Sequence, residues 1–141
     1  YTASDTLSLH DALPIWLEML MAEDETPYAI AKPLVNLSLL ARYLNRLQRE
    51  GHEIAIISWL SKNSTEEYDN KVINAKKRWL ANHLKSVQFD EIIIIPYGTP
   101  KENYAFADND ILFDDETPNR KNWTGKAFDE TEIFNVLKSL L

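Results

Sequence analysis

Apolar residues recur along this chain with two different spacings, which alternate from one segment to the next. Between residues 34 and 50 they follow a helical period, and Gly51 then supplies a stop signal. Residues 54–57 form an unbroken apolar run instead, which is typical of a strand covered on both faces. The pattern therefore predicts one helix followed by one buried strand.

The same alternation continues to the last residue. Ser64 and Glu67 have capping-box spacing, which predicts a helix reaching about Leu84, and Asp129 is placed to cap a final helix. Further strands are predicted at 91–97, 110–115 and, more briefly, 125–128. Alternating helices and buried strands indicate an α/β fold, a three-layer sandwich with a parallel, Rossmann-like sheet and right-handed crossovers.

The first fifteen residues have a different origin in our interpretation. Residues 6–15 correspond, residue for residue, to an in-frame translation of a short-read sequencing adapter. We therefore treat 1–15 as adapter-derived, which removes His10 and Asp11 as a catalytic pair. The alternative is a genuine leader that matches by chance. Residues 16–23 are mostly apolar and predict a short helix.

Composition narrows the class of protein. The 141 residues are 45% hydrophobic and 26% charged, which suits one domain with one core. A net charge of -7 argues against a nucleic-acid groove, which needs a basic surface. The absence of cysteine fits a reducing, cytoplasmic location. No apolar run approaches the ~20 residues that span a bilayer, so we expect a soluble protein without a membrane partner.

Each clear strand is followed by polar residues that suit phosphate chemistry. Ser58 and Trp59 follow the first strand, Lys101 follows the second, and Asp114 with Asp115 follows the third. Because parallel strands bring their carboxyl ends to one edge, these side chains should share a crevice. The serine and adjoining amides can bind a phosphoryl oxygen, the lysine can neutralise charge, and the acids can hold Mg²⁺.

A structural alternative exists for each of these residues. Ser58 could simply end a strand, and Lys101, beside Glu102, could be a solvated surface charge. The pair Asp114 and Asp115 could form a solvated turn. Their common order and placement favour the functional interpretation.

These motifs resemble those of the haloacid dehalogenase-like hydrolases. Ser58, after the apolar run, resembles the family's second motif, Lys101 its third, and the stretch 111–115 its fourth. The resemblance covers roughly residues 33–141. The acidic run 114–119 is most similar to the nucleotidase-like members.

The resemblance implies a mechanism and a cofactor. An aspartate in a first motif would attack phosphorus to form an aspartyl-phosphate, with Mg²⁺ screening the charges. Ser58 would bind the transferred phosphoryl group, Lys101 would orient the reacting groups, and Asp114, with Asp115, would complete the metal shell. The expected function is a Mg²⁺-dependent phosphohydrolase acting on a small phosphate monoester such as a nucleotide.

The first motif itself is absent, because no hydrophobic strand ending in Asp-x-Asp precedes Pro33 and Asp24 lies in an acidic turn. We therefore assign 16–32 to a remnant of a cap or linker and 33–141 to a partial core. That core should lack its first central strand, and the position of this strand should be a gap or be filled by a substitute segment. Its apolar lining would be exposed and prone to aggregation, and the polypeptide should be catalytically inactive.

Two other classes of protein stay open. One is a different phosphoryl-transfer domain, such as a phosphomutase or a receiver-like phospho-acceptor. The other is a non-catalytic binding module in which Trp59, Trp79 and Trp123 form a partner surface.

Overall fold

A computed structural model describes residues 15–18, 35–62 and 65–141 of this chain. The strands are β1 (Ile15–Glu18), β2 (Ile54–Trp59), β3 (Glu91–Ile95), β4 (Ile111–Phe113) and β5 (Ala127–Phe128). The α-helices are α1 (Leu37–Arg49), α2 (Glu66–His83), α3 (Thr117–Asn122) and α4 (Ile133–Ser139). Short 3-10 helices cover Lys101–Tyr104 and Glu130–Glu132.

The five strands form one sheet in the order β3-β2-β1-β4-β5, and all neighbouring strands are parallel. The chain builds outward from β1 to β3 and then crosses to the opposite side of β1 to form β4. Strand order therefore reverses between β1 and β4. The predicted α/β architecture with a parallel sheet is confirmed.

Helix starts and stops follow from local capping. The side chain of Asn36 accepts the N–H of Leu39 at 3.1 Å to begin α1, and Gly51 follows the helix with φ 100°. The cap of α2 is Thr65, whose hydroxyl accepts the N–H of Tyr68, so the helix begins one residue later than the predicted capping box implies. Tyr68, in the first turn of this helix, is 45% exposed.

The last helix is preceded by a 3-10 turn. Asp129 accepts hydrogen bonds from both the hydroxyl and the N–H of Thr131, and these bonds lower the pKa of that carboxyl group. The chain then enters α4, where Ile133 and Leu137 are fully buried. The predicted cap is thus present, but Asp129 caps the 3-10 helix Glu130–Glu132 that precedes α4.

The core lies on both faces of the sheet. One face packs against the apolar sides of α1, α2 and α4. The buried helix residues of this layer include Leu40, Leu44, Leu47, Trp79, Ile133 and Leu137. The other face is built from Trp16, Ala55, Ile57, Ile95, Leu112 and Trp123, with Tyr104 and Ala105 packed against it. These two layers and the sheet form the three-layer sandwich.

The central position of the sheet, which we predicted to be missing or filled by a substitute, is occupied by β1. Its register aligns Ile15 with Ile54 on one side and with Ile111 on the other. The edges of β2 and β4 offer unpaired backbone groups to any segment between them, and pairing satisfies those groups. The predicted gap with an exposed apolar lining therefore does not form.

The same observation corrects the prediction of a helix at 16–23. Residues 16–18 belong to a strand, and Ile15, Trp16 and Leu17 are 0% exposed. β1 also crosses the boundary that we drew between residues 15 and 16. Residues 19–23, like His10, Asp11, Asp24 and Pro33, lie outside the described part of the chain.

The edge strand β3 is less buried than its isoleucine run predicts. Ile92, Ile93 and Ile94 are half-buried, and only Ile95 of this strand is fully covered. Among the helices that the structure describes, none is both long and apolar enough to cross a membrane.

Candidate active site

The candidate site lies where the sheet's strand order reverses. In open parallel sheets, ligands bind outside the carboxyl ends of the strands at this reversal. Here the reversal falls between β1 and β4, and β4 is followed directly by Asp114. Ser58 lies near the carboxyl end of β2, on the other side of β1. Neighbouring strands are roughly 4.8 Å apart, so the ends of β2 and β4 are separated by about 10 Å.

Lys101 and Asp114 form a buried ion pair at this edge. Lys101 begins the 3-10 helix after Pro100, and its Nζ lies 2.7 Å from Asp114 Oδ2. The two residues are 2% and 1% exposed. Lys101 is therefore not the solvated surface charge of the alternative interpretation. The structure brings together two of the residues that the sequence selected.

Asp114 is held by three further contacts that fix its orientation. The N–H of Glu116 donates to Oδ1 at 2.9 Å, and Asn119 Nδ2 donates to Oδ2 at 3.1 Å. The guanidinium of Arg120 donates to the backbone carbonyl of Asp114 at 2.9 Å. Asn119 is buried, on α3 directly after Pro118, and sequence reasoning did not select it. Its sequence signal is its place at the end of the run 114–119, in which we gave Asn119 no separate role.

Ser58 has a partner that the sequence analysis missed. Its Oγ accepts a hydrogen bond of 2.6 Å from Nζ of Lys76, a residue of α2 that is 4% exposed. The same ammonium donates to the backbone carbonyl of Trp59 at 2.7 Å. The signal that could have revealed Lys76 is a charged residue on the apolar stripe of an amphipathic helix.

Trp59 is the last residue of β2 and lies on the face of the strand opposite Ser58. Its indole N–H donates to the carbonyl of Thr99 at 2.8 Å, and its ring lies 5.1 Å from that of the exposed Tyr97. Lys101 Nζ lies 5.0 Å from the Trp59 ring centroid. Because successive strand residues point to opposite faces, Lys76 reaches the end of β2 from one face and Lys101 from the other.

The donor set at the end of β4 suits Mg²⁺ in kind. This ion takes oxygen ligands, usually one or two carboxylates, and completes its shell with waters and phosphate oxygens. Oδ1 of Asp114 accepts one hydrogen bond and so keeps acceptor capacity, and the exposed Asp115 follows it. Within the described ranges, no three His, Cys, Asp or Glu side chains form a group that could hold a metal ion. Any Mg²⁺ here would therefore depend on water and phosphate for most of its ligands.

A separate cavity lies at the opposite edge of the sheet. Its volume is about 630 Å³, and Asp108, Gly125, Lys126, Val136 and Leu140 contribute to its lining. These residues stand near the amino ends of β4 and β5, on α4 or, for Leu140, at the C-cap of α4. None of the sequence-selected site residues lines this cavity.

No protein-family model matches this chain, and a search of curated proteins finds no match either.

Proposed function

We propose that this chain is the partial core of a Mg²⁺-dependent phosphohydrolase of the haloacid dehalogenase-like type. Its substrate would be a small phosphate monoester such as a nucleotide. The observation that carries the proposal is the buried Lys101–Asp114 pair of 2.7 Å at the carboxyl edge of a parallel sheet, next to the reversal of strand order. Burying two charges is costly, so such a pair at a ligand-binding edge favours a functional role.

Each side chain has a role in this proposal. The Ser58 hydroxyl donates to a phosphoryl oxygen, and Lys101 neutralises phosphate charge while orienting Asp114. Asp114 and Asp115 would hold Mg²⁺, which screens negative charge when it is bound. The central strand ends at Glu18, without the Asp-x-Asp that supplies the nucleophile in the family that the motifs resemble. We therefore expect ligand binding without turnover.

The strand order weighs against the receiver-like alternative. Receiver-type sheets have the order 2-1-3-4-5, whereas the classic Rossmann order begins 3-2-1-4-5. This chain has the second order. The paired acids also follow β4 here, whereas a receiver carries its adjacent acids after its first strand.

Burial weighs against the tryptophan-surface alternative. Trp79 is 0% and Trp123 is 5% exposed, so neither can contribute area to a partner surface. Trp59 is half-buried and is fixed by its hydrogen bond to Thr99. Trp79 and Trp123 therefore pack in the core, and Trp59 packs at the end of β2. Large aromatic side chains bury much apolar area in such positions.

Calorimetric titration of the purified chain tests the proposal. MgCl₂ is titrated first, and orthophosphate is then titrated in the presence of Mg²⁺. We expect saturable binding of both, and loss of both in Asp114→Asn. Asp108→Asn is the matched control, because it removes an exposed carboxylate at the opposite edge of the sheet.

A second measurement locates the metal without a variant. Replacing Mg²⁺ by paramagnetic Mn²⁺ should broaden the amide resonances of Asp115 and Glu116 before those of Asp108. A wild-type chain that binds neither Mg²⁺ nor orthophosphate would contradict the proposal. Binding that is equally strong in Asp114→Asn would contradict it too.

A further inference from the structure

Lys76 occupies a position in α2 that is normally apolar. The other buried residues of this helix are Val72, Trp79 and Leu80, and Lys76 lies among them with 4% exposure. Lysine is almost never fully buried unless its ammonium group is paired, because desolvating the charge and fixing its long side chain both oppose folding. A lysine on this stripe therefore indicates a role beyond packing.

The contacts of Lys76 determine what the Ser58 hydroxyl can do. An ammonium group has three donors and no acceptor, so in the 2.6 Å contact Ser58 Oγ must be the acceptor. The single hydroxyl hydrogen of Ser58 is then directed away from Lys76. The 2.7 Å bond from Lys76 to the Trp59 carbonyl fixes the ammonium relative to the end of β2. Lys76 thus prepares Ser58 as a hydrogen-bond donor.

We infer that Lys76 is a positioning residue for phosphate binding: by donating to Ser58 Oγ, it orients the Ser58 hydroxyl to donate to a phosphoryl oxygen. This inference rests on the proposed function, in which Ser58 binds the phosphoryl group. Phosphate is the ligand class that it predicts, because a hydroxyl held as a hydrogen-bond donor favours a charged oxyanion as its acceptor.

A double-mutant cycle with orthophosphate as the probe tests the inference. In the Mg²⁺-loaded chain, we expect Lys76→Met to weaken orthophosphate binding about tenfold or more, the range for losing a hydrogen bond that involves a charged group. In a Ser58→Ala background the same substitution should cost much less, because the hydroxyl that it orients is gone. Lys77→Met is the matched control, since Lys77 is the next residue of α2 and is exposed.

A measurement on the wild-type chain covers the case in which a variant does not fold. On addition of orthophosphate, the side-chain ammonium resonance of Lys76 should shift while that of Lys77 stays constant. An unchanged Lys76 resonance at saturating orthophosphate would overturn the inference.

The outcomes separate this inference from the proposed function. If the wild type binds Mg²⁺ and orthophosphate through Asp114 but Lys76→Met changes only the melting temperature, Lys76 is a structural residue and the inference alone fails. If Lys76→Met acts equally with and without Ser58, the positioning role fails. If the wild type binds no orthophosphate, both fail.

Discussion

The indole N–H of Trp16 donates a 2.9 Å hydrogen bond to the carboxylate of Asp110, which connects the central strand to the residue before β4. The same Oδ2 atom accepts the N–H of Phe106 at 2.5 Å, and the backbone carbonyl of Asp110 accepts the indole N–H of Trp123 at 2.9 Å. Asp110 is 0% exposed. The two acids that flank β4 are thus both buried, Asp110 at its amino end and Asp114 at its carboxyl end.

We predict that Asp110→Ala lowers the free energy of unfolding by roughly 2–4 kcal/mol, because each buried donor left without an acceptor costs ~1–3 kcal/mol. Asp110→Asn should cost clearly less, since its amide oxygen can still accept from Trp16 and Phe106. Urea denaturation measures both, and Asp108→Ala serves as the exposed control. If both Asp110 variants lose the same free energy of unfolding, the hydrogen bonds that the Asp110 side chain accepts are not the source of its stabilising effect.

The central placement of β1 predicts a large effect at Leu17, which is 0% exposed between β2 and β4. Leu17→Ala should destabilise the fold by ~2–5 kcal/mol, the range for deleting a buried leucine side chain. Leu39→Ala, at a half-buried position of α1, should cost less. If Leu17→Ala costs no more than this control in urea denaturation, residues 15–18 do not fill the centre of the sheet.

Breaking the pair at the candidate site should be costly on its own. Lys101→Met leaves the buried carboxylate of Asp114 without its cation, and we expect a loss of about 3–5 kcal/mol. The double variant Lys101→Met with Asp114→Leu should lose less than the sum of the two single losses. Chemical denaturation of the four proteins measures this coupling.

An exposed ion pair in the same chain is the control for that cycle. Lys71 and Glu67 lie 3.8 Å apart, with side chains 73% and 86% exposed. Lys71→Met should change stability by no more than ~0.5 kcal/mol, because solvent screens such pairs. If the coupling free energy between Lys101 and Asp114 is also no larger than ~0.5 kcal/mol, these two side chains do not form a buried ion pair.

Gly125 lies too close to a neighbouring backbone to carry a side chain. A Cβ at this position would stand 2.1 Å from the carbonyl oxygen of Asp110. Gly125→Ala should therefore shift the backbone and destabilise the protein by ~1–3 kcal/mol. Gly98→Ala is the comparison, because Gly98 has φ +82° but open space around its Cα, so the cost there is conformational alone. A smaller loss at Gly125 than at Gly98 in thermal melts would contradict the close approach.

The absence of Asp-x-Asp at the end of β1 predicts no catalysis. The purified chain with Mg²⁺ and p-nitrophenyl phosphate should release phenolate no faster than the buffer blank, because the covalent route needs a nucleophile. Turnover that requires Mg²⁺ and disappears in Asp114→Asn would refute this expectation.

Local sequence signals predicted most of the scaffold and part of the site. Capping residues and apolar spacing act over a few positions, so α1, β2 and the final helix were predicted close to their observed bounds. Lys101 and Asp114 were found for the same reason, since each closely follows a recognisable strand. Lys76 was missed because its partner, Ser58, is 18 positions away in sequence.

The sequence by itself therefore determined that α1, α2, α4 and strands β2 to β5 form, and which polar residues stand at the strand ends, because those properties depend on neighbours along the chain. Only the tertiary structure decided that Ile15–Glu18 becomes the central strand, since four residues, of which three are apolar, carry no decisive period of their own. Their conformation is set by the backbone edges of β2 and β4, which leave hydrogen-bonding groups that only an extended segment can satisfy.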